Sequence, residues 1–401
     1  MALALVGAVP AGAQAPVAPD APAVAERLGL SIEEASRQLW LQDASVAATD
    51  AIADRYADRL AGIAVDHAPA FRIVVLLTGE QPVADEVLAL GGDTANVTYR
   101  TGAAASLTAL VKALTAHQAE VRASLSAPPG MGIDQRTGEL VIVVSRRDVA
   151  QEGLAPLRAR LAAMTGVPVR LRVVDDPALD LSDSPAGGMR LLGGSPGSRR
   201  SLCTAGFVVT DGTQTALATA AHCADTLAVR GGDGKEQVLP FLGQWGWGYQ
   251  DVQINAAAGL LEPTFFADTA KTEARTVTGA RGAAGTRAGD MVCHRGERTG
   301  YSCAPVELTH FAPAGDLCGG ACLPTWVTVA GPGCKGGDSG SPVFLGSTAY
   351  GLLKGGSYRS DGSCAFYFYM STDYLPAGWR LLTVADRPVQ MVQDHPAVPT
   401  P

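Results

Sequence analysis

Thr219-Ala220-Ala221-His222-Cys223, at the end of a strand-like run, and Gly336-Gly337-Asp338-Ser339-Gly340-Ser341-Pro342, opening into Val343-Phe344-Leu345, decide how this chain is read. Glycines beside a serine let the backbone approach a substrate closely and turn an amide toward it. A serine hydroxyl is inert near neutral pH until a base takes its proton, and histidine is the side chain whose ionisation suits that task. The two stretches therefore need each other, with Ser339 as nucleophile and His222 as general base. Singly, each has a plainer reading: a Gly/Ser loop is often only a turn, and a histidine beside a cysteine is often a packed structural residue. Rival glycine-rich chemistries fail. The stretch from Gly331 lacks the Gly-Lys-Ser/Thr ending of a phosphate loop, and Gly337-Asp338-Ser339-Gly340-Ser341 lacks the last glycine of a hydrolase nucleophile elbow.

The sequence around these stretches has a β texture. Glycines are frequent, turn signals recur, and short runs (Ala205 to Thr210, Leu217 to Ala220, Trp326 to Ala330, Ala365 to Met370) show strand character with little helical period. A Pro/Gly/Ser/Asp-rich linker, Asp175 to Arg200, precedes this region. The first half reads differently. Ser31 and Glu34 make a capping box at the head of a helical run to Leu60, Ser106 to Leu125 and Leu154 to Met164 have helical spacing, and Gly166 stops the last of these. Phe71 to Leu77, Glu139 to Ser145 and Val167 to Val174 read as strands. The first half is thus an α+β unit. No internal repeat marks a solenoid or propeller.

Composition narrows the function classes. A hydrophobic content of 47% supplies sizeable cores, while 17% charged residues, a net charge of -8 and no long run of either sign argue against nucleic acid and against a polybasic membrane anchor. All eight cysteines (Cys203, Cys223, Cys293, Cys303, Cys318, Cys322, Cys334, Cys364) follow residue 202. With no C-x-x-C and no H-x-x-x-H among them, they read as disulfides in an oxidising compartment rather than metal ligands. The apolar start and Ala13-Gln14-Ala15 suit a signal peptide over 1–15, though a basic n-region is missing. No other stretch approaches the roughly 18 uninterrupted apolar residues of a membrane span.

The pair T-A-A-H-C and G-D-S-G-S-P, in that order, resembles the signature of chymotrypsin-like serine proteases, and further motifs point to the secreted bacterial streptogrisin and α-lytic protease family. Val292-Cys293-His294-Arg295-Gly296-Glu297-Arg298-Thr299-Gly300-Tyr301-Ser302-Cys303 is similar to that family's V-C-x-S-G-x-T-T-G-x-x-C loop, Gly193-Gly194 to the Gly-Gly near its mature N-terminus, and Gly351-Leu352-Leu353-Lys354-Gly355-Gly356 to its substrate-binding edge strand. The resemblance runs over residues 190 to 385. It implies an all-β fold of two six-stranded antiparallel β-barrels preceded by an α+β pro-domain: pro-region 16–186, then serine protease domain 187–401. The pro-region would template folding and inhibit the site, with a cut between Ala186 and Leu192. The whole would be a secreted, extracellular, monomeric serine endopeptidase acting on protein or peptide substrates, without metal or cofactor. Two other readings stay open, an inactive protease-like peptide-binding domain and a serine esterase.

Residue roles follow from the same likeness. Asp251, in Tyr249-Gln250-Asp251-Val252-Gln253-Ile254, opens an alternating strand between His222 and Ser339 and is the expected orienting carboxylate, with Asp225 and Asp268 as rivals. Backbone N–H groups of Gly337 and Ser339 would form the oxyanion hole, with Asp338 shaping that loop from inside. Gly355 and Gly356 would pair with an extended substrate, and Leu353 would help line the pocket for the residue before the scissile bond. That pocket would favour Leu, Phe or Tyr. The implied disulfides are Cys203–Cys223, Cys293–Cys303 and Cys334–Cys364, which leaves Cys318 with Cys322. Lys354 stands where the family has serine, and its ammonium is expected to point to solvent.

Overall fold

The computed structural model describes residues 17–126, 128–174, 176–180, 188–194, 200–230, 236–257, 261–315, 317–331 and 333–386. The expected signal peptide and the C-terminal tail lie outside these residues.

The N-terminal unit forms where its sequence carries local instructions. Ser31 accepts the Glu34 N–H at 3.1 Å and starts helix Ile32–Ala44. Ser106 caps helix Leu107–Ala123 in the same way, through the Ala109 N–H at 3.2 Å. Each cap satisfies one of the N–H groups that a helix start leaves without a partner. Helix Leu154–Thr165 ends at Gly166, whose φ of 68° is left-handed. The long helical run expected from Ser31 divides at Ser45 into Ile32–Ala44 and Val46–Arg55, and Leu60 already belongs to strand Leu60–Asp66. That strand opens a four-stranded sheet, continuing through Arg72–Thr78 and Asp93–Ala103 to Glu86–Leu90. Helices Leu107–Ala123 and Leu154–Thr165 bury Leu110, Leu114, Leu157 and Leu161 with Ile133, Leu140 and Ile142 of a second sheet, Gly130–Asp134, Glu139–Ser145 and Val169–Val174.

The C-terminal half is two antiparallel barrels, as expected. In the first, Arg190–Gly193, Ser201–Thr204 running on to Val208–Thr210, Thr215–Thr219, Leu227–Arg230, Glu236–Leu239 turning at Pro240 into Phe241–Trp245, and Val252–Ala256 pair antiparallel. In the second, Met291–Gly296, Pro342–Leu345, Thr348–Tyr358, Cys364–Ser371, Trp326–Ala330 and Gly300–Ala312 pair in that order, and the last returns to the first to close the ring. Closure removes the open edges that make an isolated sheet hazardous. All four implied disulfides are present: Cys203–Cys223, Cys293–Cys303, Cys318–Cys322 and Cys334–Cys364.

The N-terminal unit shares secondary structure with the second barrel. Its strand Gly130–Asp134 pairs with Gly300–Ala312, Ile133 opposite Thr309 and Met131 opposite Ala312, so one sheet runs through both units. Glycine is needed here because a Cβ on Gly130 or Gly132 would lie 2.8 Å or 2.9 Å from the Phe311 ring. Three arginines of the C-terminal half complete the contact. Arg275 pairs with Asp20 at 2.7 Å, while Arg281 and Arg287 pair with Asp43 and Asp50. Asp20 is the deepest of the three acids, buried and also accepting from the Gly346 N–H at 2.6 Å and the Tyr301 hydroxyl at 2.5 Å.

Breaking a buried pair from one side strands the other charge, a loss of about 3–5 kcal/mol. Asp20→Ala in the full-length chain should therefore lower the melting temperature and open the 17–60 region to limited proteolysis. Asp43→Ala, removing a half-exposed partner, should do much less.

Candidate active site

His222 sits in the turn that leaves strand Thr215–Thr219, and the Cys203–Cys223 disulfide ties this turn to the strand Ser201–Thr204. Its Nε2 lies 2.8 Å from Ser339 Oγ, and its Nδ1 lies 3.0 Å from Asp251 Oδ2 and 3.2 Å from Oδ1. An ionised carboxylate only accepts hydrogen bonds, so Nδ1 must carry the proton and Nε2 is left to accept from the serine hydroxyl. Asp251 is expected to orient the imidazole, and it sits immediately before strand Val252–Ala256, which pairs with the strand leading to His222. Adjacent strands thus bring base and carboxylate together. The rivals stay apart: Asp225 lies 3.5 Å from Gln244 Nε2, and Asp268 caps its own turn through the N–H groups of Ala270, Thr272 and Glu273.

The Ser339 loop is held in its shape from beneath. Asp338 is buried and accepts from the N–H groups of Lys335 at 2.8 Å, Arg298 at 2.9 Å and Thr299 at 3.2 Å, and from the Thr299 hydroxyl at 2.8 Å. This is the internal role expected of Asp338. Gly337 has a φ of 107°, open to glycine and strained for other residues. A Cβ on Gly340 would meet Thr219 Oγ1 at 2.1 Å. Thr204 was not singled out in the sequence. Its hydroxyl donates to the Gly337 carbonyl at 2.9 Å and its N–H to the Ser339 carbonyl at 2.7 Å, fixing the turn that carries both candidate oxyanion amides.

Strand Thr348–Tyr358 runs alongside the loop. The Leu353 carbonyl accepts the Gly340 N–H at 2.7 Å and its N–H donates to the Ser341 carbonyl at 3.0 Å, which locks strand and nucleophile together. Leu353 is buried, and a Cβ on Gly356 would stand 2.6 Å from Cys334 Sγ. Gly355 and Gly356 pair with the chain's own segment Asp176–Asp180, Gly355 opposite Asp180 and Gly356 opposite Leu179.

One expectation is overturned. Lys354 does not reach solvent; it is 1% exposed, with Nζ 3.3 Å from Asp251 Oδ1 and 5.6 Å from the centre of the Trp326 ring. The cause is a register shift between Leu353 and Gly355 in the pairing with Cys364–Ser371. A bulge of this kind re-aims a side chain. The carboxylate and the indole face then supply the attraction that water would otherwise give an ammonium. Burial alone would raise the Asp251 carboxyl. The Lys354 charge and the charge and hydrogen bonding of His222 outweigh it and hold the carboxyl down at about 2.

No family model matches the chain. It is 29% identical over 185 residues to streptogrisin-C of Streptomyces griseus, an alignment covering 45% of this chain and 38% of that protein, so the chain spans about two fifths of this relative's length. Among solved structures, Thermobifida fusca protease A is similar at 25% identity with a TM-score of 0.39, over 49% of this chain and 99% of that one. An α-lytic protease homologue, N4, is similar at 21% identity with a TM-score of 0.36, over 47% of this chain and 93% of that one.

If Asp251 fixes the tautomer, Asp251→Asn should lower kcat per active site by about 10,000-fold, because an amide can present its N–H to the ring and favour the wrong tautomer, and it should also lower the melting temperature because the buried Lys354 ammonium loses its carboxylate. Steady-state hydrolysis of a chromogenic peptide ester checks this. A loss of less than tenfold would remove Asp251 from the site.

Proposed function

We propose that the chain is the proenzyme of a secreted serine endopeptidase. The observation that carries this reading is the continuous line from Asp251 through His222 to Ser339, with hydrogen-bond distances of 3.0 Å and 2.8 Å. His222 removes the Ser339 proton, the serine oxygen adds to a peptide carbonyl, and the N–H groups of Gly337 and Ser339 receive the developing oxyanion. Collapse of that adduct expels the amine, which takes the proton from His222. Water, activated by the same imidazole, then releases the acyl group.

The N-terminal unit acts as the pro-region in this reading. Asp176–Asp180 adds to the edge strand where an extended substrate would pair, so the unit blocks its own enzyme by β-strand addition. The proposed cut lies between Ala186 and Leu192; the start of that window is outside the described residues, and its end falls in strand Arg190–Gly193, where Leu191 and Leu192 are buried. Four disulfides suit an extracellular setting, and among the described residues no helix is long and apolar enough to cross a membrane. Apolar, buried Leu353 favours medium or large apolar residues before the scissile bond, because a substrate carboxylate would be costly to desolvate there.

Purified full-length chain should convert itself to a product released by a cut between Ala186 and Leu192, and only the product should hydrolyse casein. Ser339→Ala should stay intact and inactive. Full activity with residues 30 to 180 still attached, or activity in Ser339→Ala, would contradict the proposal. A peptide-library profile dominated by Glu or Asp before the cut would overturn the apolar preference.

A further inference from the structure

A lysine rarely lies inside a protein without a reason, because its charge is expensive to desolvate and must be met by a partner. Lys354 meets Asp251, which is 2% exposed and already engaged with His222. The carboxylate therefore has two claimants. Its Oδ2 is the nearer atom to the imidazole, at 3.0 Å, and its Oδ1 faces the ammonium at 3.3 Å. The Asp251 N–H meets Met370 Sδ at 3.2 Å, and the Trp326 ring covers the lysine. The strand that delivers Lys354 is fastened to the nucleophile loop by the backbone bonds of Leu353, which fixes where the lysine side chain starts.

We propose that Lys354 is a positioning residue of the triad: its ammonium holds Asp251 in register with His222 and, by sharing the carboxylate's charge, moves the working range of the site to lower pH. This rests on the serine-protease reading above.

The sign follows from counting charges. With a neutral imidazole the buried cluster of Asp251, Lys354 and His222 has no net charge; with an imidazolium it carries one positive charge. Without the lysine the same two states carry one negative charge and none. The lysine therefore disfavours the protonated imidazole, which cannot act as base, and keeps the base ready in more acidic solution. The same repulsion acts on the imidazolium formed during turnover, so the wider range comes with a lower plateau rate. Other titratable groups near the cluster do not reverse this. Tyr369, opposite Leu353 on the neighbouring strand, is held protonated by burial. Asp338 faces into its own turn, and Asp225 lies beyond Gln244.

The test is the pH dependence of kcat/KM for a chromogenic peptide on the matured products of the full-length wild type, Lys354→Ser and Lys354→Arg. Rates are read per active site, counted by titration with a fluorophosphonate. The half-maximal point of the acid limb should move up by about one pH unit in Lys354→Ser, a tenfold loss of relative activity on that limb, and should stay in place in Lys354→Arg, which keeps the charge. Should Lys354→Ser fail to mature, Lys354→Gln and Lys354→Met are read in the same way. An acid limb unmoved in every neutral variant, or moved equally by Lys354→Arg, overturns the proposal. A wild type that neither hydrolyses the peptide nor takes up the fluorophosphonate overturns the protease reading instead, so the two failures are distinguishable.

Discussion

The buried carboxylate of Asp251 is the point on which the site depends. A charge in a protein interior persists only where fixed partners replace its water. Here the partners are the imidazole and the backbone N–H of His222, the latter 3.3 Å from Oδ1, and the ammonium of Lys354, while Met370 Sδ on strand Cys364–Ser371 accepts the aspartate's own N–H. Asp251 opens a strand of the first barrel, while Lys354 and Met370 belong to the second. The carboxylate is thus an electrostatic joint between the barrels. The geometry from His222 to Ser339 exists only when both barrels are folded and docked.

The same logic explains how closely the N-terminal unit is built into the second barrel. Its sheet continues into strand Gly300–Ala312 across glycines that let a backbone lie on the Phe311 ring. Its acids meet Arg275, Arg281 and Arg287, and its last described strand lies on the edge beside Ser339. Non-local strand pairing is slow to form because chain entropy is lost before the contacts repay it. In the proenzyme proposed above, a unit that offers a ready strand to the second barrel would supply a template for that pairing, and by covering the edge strand it would keep the product of folding inactive.

What could be read in the sequence was what is encoded locally. Ser31, Ser106 and Gly166 mark helix ends by side-chain and backbone preferences that hold in any context. Glu139 to Ser145 was legible from its pattern alone and is observed with those bounds. The meeting of His222 with Ser339 was legible because each lies in a local motif that calls for the other. Strand Asp93–Ala103 turns Ala95 and Val97 inward, but these two residues are too short a pattern to mark an eleven-residue strand in the sequence. Lys354 was misread for a deeper reason. The bulge that turns it inward arises from pairing with a strand elsewhere in the chain, and the partner that makes burial tolerable lies in the other barrel. Neither leaves a mark near position 354. The Pro- and Ala-rich composition around Pro19 and Pro22 likewise hides helix Ala21–Leu28 and the buried Asp20, whose partner Arg275 is distant in sequence.

The most direct test of this account is a crystal structure of the matured protein inhibited by a peptidyl organophosphonate. Phosphorus should sit on Ser339 Oγ, the phosphoryl oxygen against the N–H groups of Gly337 and Ser339, the peptide antiparallel to Gly355 and Gly356, and Lys354 Nζ still on the Asp251 carboxylate. An adduct at any other residue, or a Lys354 side chain extended into solvent with Asp251 turned from His222, would contradict it.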